Sequence, residues 1–149
     1  MQILKIILLV IVVIIAIPLI IALFISNDYN ITRSIIINKP QQEVFDYIKL
    51  LKNQEKFSKW VMTDPNMKTT FKGTDGTVGC IYAWDSENKQ AGKGEQEIKK
   101  INEGEGIDVE VRFEKPFKGL ANTPLHTEAI SASETRVTWG MNGTNKYPL

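Results

Sequence analysis

The hydrophobic pattern of the chain changes character twice. From Ile6 to Ile25, about 20 consecutive residues carry no charge and nearly all are Ile, Leu or Val. A helix rising about 1.5 Å per residue over that length spans the roughly 30 Å hydrocarbon core of a bilayer. The run is apolar on every side, as a membrane span is and the surface helix of a soluble domain is not. Pro18 is tolerated in such a helix, where it predicts a kink. Cleaved signals have apolar runs of about 7–15 residues, and Ala22, Leu23, Phe24, Ile25 and Ser26 offer no good small-x-small cleavage site. The run therefore reads as a retained single-pass anchor. Lys5 is the cation nearest to it and favours a cytoplasmic N-terminus with the domain outside, a bias that Arg33 and Lys39 weaken.

Past a very short linker at residues 26–28, the pattern becomes that of a folded domain covering residues 27–149. Residues 29–37 are rich in Ile and Thr and read as a strand. A helix follows, with Asn38 as its cap, Pro40 in the first turn and Gln41 at the capping-box spacing. Val44, Tyr47, Ile48 and Leu51 fall on one face of it, with Glu43, Asp46 and Lys49 opposite. Asn53 can cap a second short helix over residues 53–59, which Trp60 ends. From Met67 onward the period is two. Strands are expected at 67–72, 78–85, 92–102, 107–114, 124–132 and 135–143. Asp75-Gly76, between the first two, signals a hairpin turn at 73–77. In the strand at 107–114, Ile107, Val109, Val111 and Phe113 alternate with Asp108, Glu110, Arg112 and Glu114, the pattern of a sheet with one apolar and one wet face. Pro116 stops that strand. Val137, Trp139 and Met141 repeat the alternation near the end. One strand, two helices and then six strands in succession predict an α+β fold with a curved antiparallel sheet.

Composition acts mainly by exclusion. Eighteen Lys and Arg against 17 Asp and Glu leave a net charge of +1 and no basic stripe for nucleic acid. Cys80 is the single cysteine, so there is no internal disulfide and no thiolate metal site. No ligand cluster supports a metal, and nothing calls for a cofactor. The glycine-rich stretch 73–79 lacks the Lys-Ser/Thr of a phosphate-binding loop and leads into a strand, so it reads as a turn. His126 is the single histidine, and any histidine-dependent acid–base chemistry must use it, with Glu128 on the same strand face to orient it. A lone histidine of this kind is more often a polar surface residue. No Ser or Cys sits in a nucleophile-elbow context. Trp60, Tyr82, Trp84, Phe113 and Trp139 lie at element ends or on apolar strand faces. There they either pack a core or line a cavity for an apolar ligand, and periodicity does not separate the two.

Phe57-Ser58-Lys59-Trp60, Asp64-Pro65, Gly73-Thr74 through Val78-Gly79, Tyr82-Ala83-Trp84, Gly92-Lys93-Gly94, Pro116-Phe117 and Thr135-Arg136-Val137-Thr138-Trp139 occur in that order. Over residues 29–149 this series resembles the polyketide cyclase/dehydrase-like branch of the SRPBCC (START-like, helix-grip) superfamily. The resemblance implies a curved antiparallel sheet gripping a long C-terminal helix, an apolar cavity between them, and binding of lipids, sterols, polyketides or other hydrophobic molecules. It implies no shared catalytic residue set.

The leading expectation is a membrane-anchored module that binds a hydrophobic small molecule or lipid for carriage, sequestration or sensing. The alternatives are an enzyme on such a ligand, using His126 and Glu128 or Tyr82, and a structural or interaction domain with a closed core. The expected cavity residues are Trp60, Tyr82, Trp84, Val109, Val111, Phe113, Val137 and Trp139, taken from the apolar register of each strand. The sequence given stops at Tyr147-Pro148-Leu149, so the family's long C-terminal helix is expected to be missing and the apolar sheet face to be open to self-association. Full-length protein is expected to stay in the membrane pellet after carbonate washing, with Met1 as its N-terminal residue. A soluble form beginning near Ser26 would identify the run as a cleaved signal.

Overall fold

A computed structural model describes residues 2–24 and 27–144 of the chain. The apolar run forms one helix, α1 (Gln2–Phe24), which continues through Pro18. It is long and apolar enough to cross a membrane, and none of its span is buried against the rest of the protein. Ile25 and Ser26, the end of the expected span and the start of the linker, lie outside the described residues. So do residues 145–149, on which the expectation of a missing helix falls.

The domain is an antiparallel sheet carrying short helices on one face. Its strands are β1 (Asp28–Ile37), β2 (Lys68–Lys72), β3 (Ile81–Asp85), β4 (Lys93–Asn102), β5 (Gly106–Lys115), β6 (Gly119–Asn122), β7 (Leu125–Ser131) and β8 (Glu134–Thr144). The spatial order is β1-β8-β6-β5-β4-β3-β2, with β7 pairing β5 and β8. One strand had no expectation: β6, in the stretch after Pro116 that reads as a loop. Its four residues, Gly119, Leu120, Ala121 and Asn122, are too few to show the alternation that marks a strand. β6 and β7 share one register on each neighbour. Val111 faces Ala121 and Ile107 faces Leu125 on β5, while Gly143 faces Ala121 and Trp139 faces Leu125 on β8. They are two halves of a single strand position interrupted at Thr123-Pro124, where proline offers no N–H to the ladder. The Thr123 N–H still reaches the Val109 carbonyl at 2.7 Å, and Gly140 N–H the Pro124 carbonyl at 2.9 Å.

Register shifts at Lys93/Gly94 and Ile98/Lys100 interrupt the β4–β5 ladder. Irregularities of this kind bend a strand and increase its twist, which curves the sheet. The alternation in β5 has the expected sense. Ile107, Val109 and Val111 are buried, while Asp108, Glu110 and Arg112 lie on the other face. There Arg112 binds Glu95 at 2.7 Å and Glu97 at 2.8 Å and also contacts Glu110. These carboxylates, Glu95 first, hold the guanidinium above its already high ordinary range.

The helical segment differs from its sequence reading in how it begins. The first helix, α2 (Gln41–Ile48), has Pro40 at its cap position and no side-chain cap. Gln41 instead turns sideways, donating from Nε2 to the carbonyls of Gly104 at 2.8 Å and Thr127 at 3.0 Å. Asn38 and Gln41 therefore form no capping box; tertiary partners claim the amide. A 3-10 turn (Leu51–Asn53), a one-turn helix α3 (Gln54–Phe57) and a second 3-10 turn (Val61–Thr63) follow. Asn53 does not cap α3. Its Nδ2 donates to the Tyr47 carbonyl at 2.8 Å, near the C-terminal end of α2.

The expected tight hairpin is also longer than its Asp-Gly pair suggests. Lys72 faces Ile81, so residues 73–80 form the connection, and Val78 is exposed in it. Asp75 explains the length. Its carboxylate accepts from the N–H groups of Leu51 at 2.8 Å, Lys52 at 3.1 Å and Gly76 at 2.9 Å. Across 24 residues of sequence it caps the turn that follows α2. Asp75→Ala is expected to lower stability by about 2 kcal/mol in urea unfolding, since it removes charge-assisted bonds and a cap together. Asp75→Asn should recover part of the loss.

Candidate functional site

The concave face of the sheet divides in two across its strands. At the end covered by α2, apolar side chains are packed solid. Val44, Phe45 and Ile48 of the helix join Leu51, Cys80, Ile98, Ile107 and Val109 in one cluster, all at most 5 % exposed. Each such side chain contributes about 1.5–3 kcal/mol by leaving water. Burial pushes the Cys80 thiol up, as its place in this cluster requires, and the charge of Asp75 adds to the rise.

One inward step further along each strand, the packing gives way to a cavity of about 600 Å³. On β5 the change falls between Val109, which is packed, and Val111 and Phe113, which line the cavity. On β3 it falls between Cys80 just before the strand and Tyr82 with Trp84 within it. On β4 it falls between Ile98 and Gln96, and on β8 between Thr135, buried against the Lys39 carbonyl, and Val137, Trp139 and Met141. Ile35 and Arg33 of β1 close one side. A lip made of α3 and the turn after it, with Phe57, Ser58, Lys59, Trp60 and Val61, closes another.

Specific contacts hold the lip in place. Gln96, buried on the cavity floor, donates to Gln54 Oε1 at 2.9 Å and ties α3 to β4. Ser86 donates to Asp64 Oδ2 at 2.5 Å and ties the far end of the lip to the β3–β4 connection. Across the opening runs an aromatic series: Trp60 and Phe113 have ring centroids 6.3 Å apart, and Phe113 and Trp84 6.2 Å, within the range of favourable ring pairs. Trp60 sits at the rim, 51 % exposed, whereas Trp84 is buried. The Trp84 indole N–H donates to the Ala91 carbonyl at 3.0 Å. Its ring lies over Gly94, where an added Cβ would come within 2.8 Å of the indole and 2.5 Å of the Arg112 carbonyl. Only a residue without a side chain lets the indole lie flat there.

Seven of the eight expected cavity residues line this space: Trp60, Tyr82, Trp84, Val111, Phe113, Val137 and Trp139. Val109 does not. It has the right register but stands one step too near α2 and belongs to the packed core. Tyr82 is almost fully buried and its hydroxyl has no hydrogen-bond partner in the structure, although Thr69 lies near enough to influence it. Burial pushes the phenol up to about 12, the charge of Glu55 adds to the rise, and Thr69 opposes it. The phenol is therefore a neutral donor at physiological pH.

His126 is not part of the cavity. It is exposed on β7 between the inward residues Leu125 and Thr127, so it faces the other way. Glu128 shares that outer face, and its carboxylate binds Arg136 at 2.6 Å rather than the imidazole. Among the described residues, no group of three His, Cys, Asp or Glu side chains could hold a metal ion.

Several lining residues had no expectation. Gln96 and Thr123 are polar, Leu125 follows a proline, and Arg33 and Ile35 stand in a strand whose isoleucines fall on both faces. Lys59 and Phe57 belong to a lip with no period to read. The only available signal was position: Gln96 shares the inward register of β4 with Ile98.

No protein-family model matches the sequence, and no curated protein matches it. Solved structures do match in fold. Norcoclaurine synthase from Thalictrum flavum, in complex with dopamine and hydroxybenzaldehyde, superposes with a TM-score of 0.66 at 9% identity, over 82% of this chain and 72% of that one. Ara h 8.0201 superposes with a TM-score of 0.57 at 13% identity, over 82% of both chains. A protein from Rhizobium loti superposes with a TM-score of 0.59 at 14% identity, over 82% of this chain and 83% of that one. The fold is thus the α+β helix-grip class, and at these identities the likeness is one of fold.

Gly94→Val tests how the wall is built. The variant is expected to displace the Trp84 indole, to cost about 1–3 kcal/mol of stability as overpacking does, and to shift tryptophan emission. Unchanged emission and stability would mean that the indole does not rest on Gly94.

Proposed function

We propose that this protein is a membrane-tethered binding module for a hydrophobic small molecule or lipid. The observation that carries the reading is the cavity itself. It has a volume of about 600 Å³, walled by Val, Leu, Met and aromatic side chains, in a sheet whose other end is packed solid. That size lies within the range of small-molecule sites, about 300–1,000 Å³, and apolar walls with a few placed polar groups are what such sites have in common. Among the polar groups, Tyr82 and Gln96 are buried at the inner end, and Gln54 meets Gln96 from α3. The norcoclaurine synthase of like fold, with its bound small molecules, supports the use of such a fold for ligands.

The tether supports a location for the ligand. The cavity occupies the half of the sheet from which β1 starts, and three residues separate the end of α1 from Asp28. Three residues reach at most about 10 Å. With α1 in a bilayer, the cavity half of the domain stands close to the membrane surface, where a hydrophobic ligand partitions. The domain side, by the charge bias around α1, is extracytoplasmic. Self-association through apolar surface left exposed at the rim, such as Ile35, Phe57 and Trp60, is a further property of this reading.

A second reading, an enzyme acting on the ligand, is favoured by Tyr82 alone: a buried, unpaired phenol on the cavity wall can donate a proton or a hydrogen bond to a bound carbonyl. With His126 on the outer face, no histidine or carboxylate lines the cavity among the described residues to act as its base, and binding accounts for the geometry with fewer parts.

Full-length protein purified in detergent and extracted with organic solvent should yield a defined hydrophobic compound by mass spectrometry. Val137→Trp, which projects an indole into the cavity, should lower its recovery several-fold. Equal recovery from both would show that the compound is bound elsewhere.

A further inference from the structure

We infer that the ligand is a single-chain anionic amphiphile, whose tail fills the cavity and whose carboxylate or phosphate head is held at the mouth by Arg33 and Lys59. The inference rests on the binding reading above and concerns its chemistry. Among the described residues, the lining of the cavity contains two permanently charged side chains, and both are cations; no Asp or Glu is in it. In a chain with nearly equal numbers of acids and bases, an all-cationic lining is a departure from the surrounding surface.

Both cations are also available. Among the described residues, neither forms an ion pair, although Lys39, Lys49, Lys93, Lys99, Arg112 and Arg136 all do. Arg33 spends one donor on the neighbouring Thr32 carbonyl at 2.8 Å, which leaves the rest of its fork open. It projects from the edge strand β1 opposite Trp139, and Lys59 comes from the lip beside Trp60, so each charge stands next to an apolar wall. Glu55, whose charge reaches Tyr82, is outside the lining. Both cations are exposed, as a headgroup site at a water-facing mouth should be, while Tyr82 and Gln96 at the inner end are buried. The polarity therefore runs from charged and wet to apolar and dry, the profile of an amphiphile. The order of size sets the number of chains: a cavity in the small-molecule range takes one chain, not the two of a bilayer phospholipid.

Arginine and lysine both bind carboxylate and phosphate, arginine with two parallel bonds and lysine as a point charge. The structure favours the anion without choosing between these heads, and competition can choose.

The test uses the full chain in phosphatidylcholine nanodiscs, with empty nanodiscs as baseline. All three tryptophans of the chain, Trp60, Trp84 and Trp139, line the cavity, so energy transfer from tryptophan to a dansyl group reports occupancy. Dansylundecanoate is expected to bind at least about tenfold more tightly than its methyl ester at low salt, a difference of about 1.4 kcal/mol. Raising the salt should narrow the gap, because exposed charges are screened. The double variant Arg33→Gln/Lys59→Gln should lose most of the preference for the acid over the ester. Displacement by dodecanoate or by monododecyl phosphate supports the proposal, and the tighter competitor identifies the head. Equal affinity for acid and ester, an undiminished preference in the double variant, or better displacement by dodecyltrimethylammonium would overturn it while leaving the binding reading intact. Failure of both acid and ester to bind would overturn the two together.

Discussion

A sheet with one apolar face is stable only where something covers that face. Here the cover is α2, two turns long, and it reaches one end of the strands. Everything about the site follows from that limit. Where Val44, Phe45 and Ile48 lie over the sheet, the inward residues of every strand are packed. Past the end of the helix the same inward registers continue, no other helix as long as α2 lies over them among the described residues, and the cavity begins. The tethers that fix α2, Gln41 on Gly104 and Thr127 at one end and Asp75 on Leu51 and Lys52 at the other, therefore fix the boundary of the cavity as well. They also determine how far the lip can lean, because α3 follows α2 almost directly.

Much of the fold was legible because sheets write their register into alternation. Residues 107–114 and 135–141 alternate cleanly, and β5 and β8 have the expected faces. What could not be read was whatever depends on partners distant in sequence. Asn38 and Gln41 have the spacing of a capping box, yet Gln41 spends its amide on residues 63 and 86 positions away. Asp75-Gly76 has the chemistry of a two-residue turn, yet Asp75 is claimed by a helix end. β6 carries no pattern of its own and is a strand because β5 and β8 leave a gap of its length between them.

The candidate site shows the same division. Seven aromatic and aliphatic lining residues were legible from strand register. Val109 fails because register says which face a residue is on, not how far along the sheet the cover extends. Polar and charged lining residues were hidden for a related reason: Gln96, Arg33 and Lys59 read as ordinary surface until the fold brings them to the cavity. His126 attracted notice as the single histidine and sits on the wet face, where its strand partner Glu128 is occupied by Arg136.

The central claim is that one cavity, bounded by elements distant in sequence, opens beside a packed core and takes a ligand. The three tryptophans come from the lip, β3 and β8, and no two of these are neighbours along the chain. Fluorine NMR of full-length protein labelled with 5-fluorotryptophan, titrated with a small aromatic dye of the naphthalene sulfonate class, addresses it directly. The account predicts three resonances that all shift and saturate at a common dye concentration. Resonances that stay in place, or a shift of the exposed Trp60 alone, would contradict it.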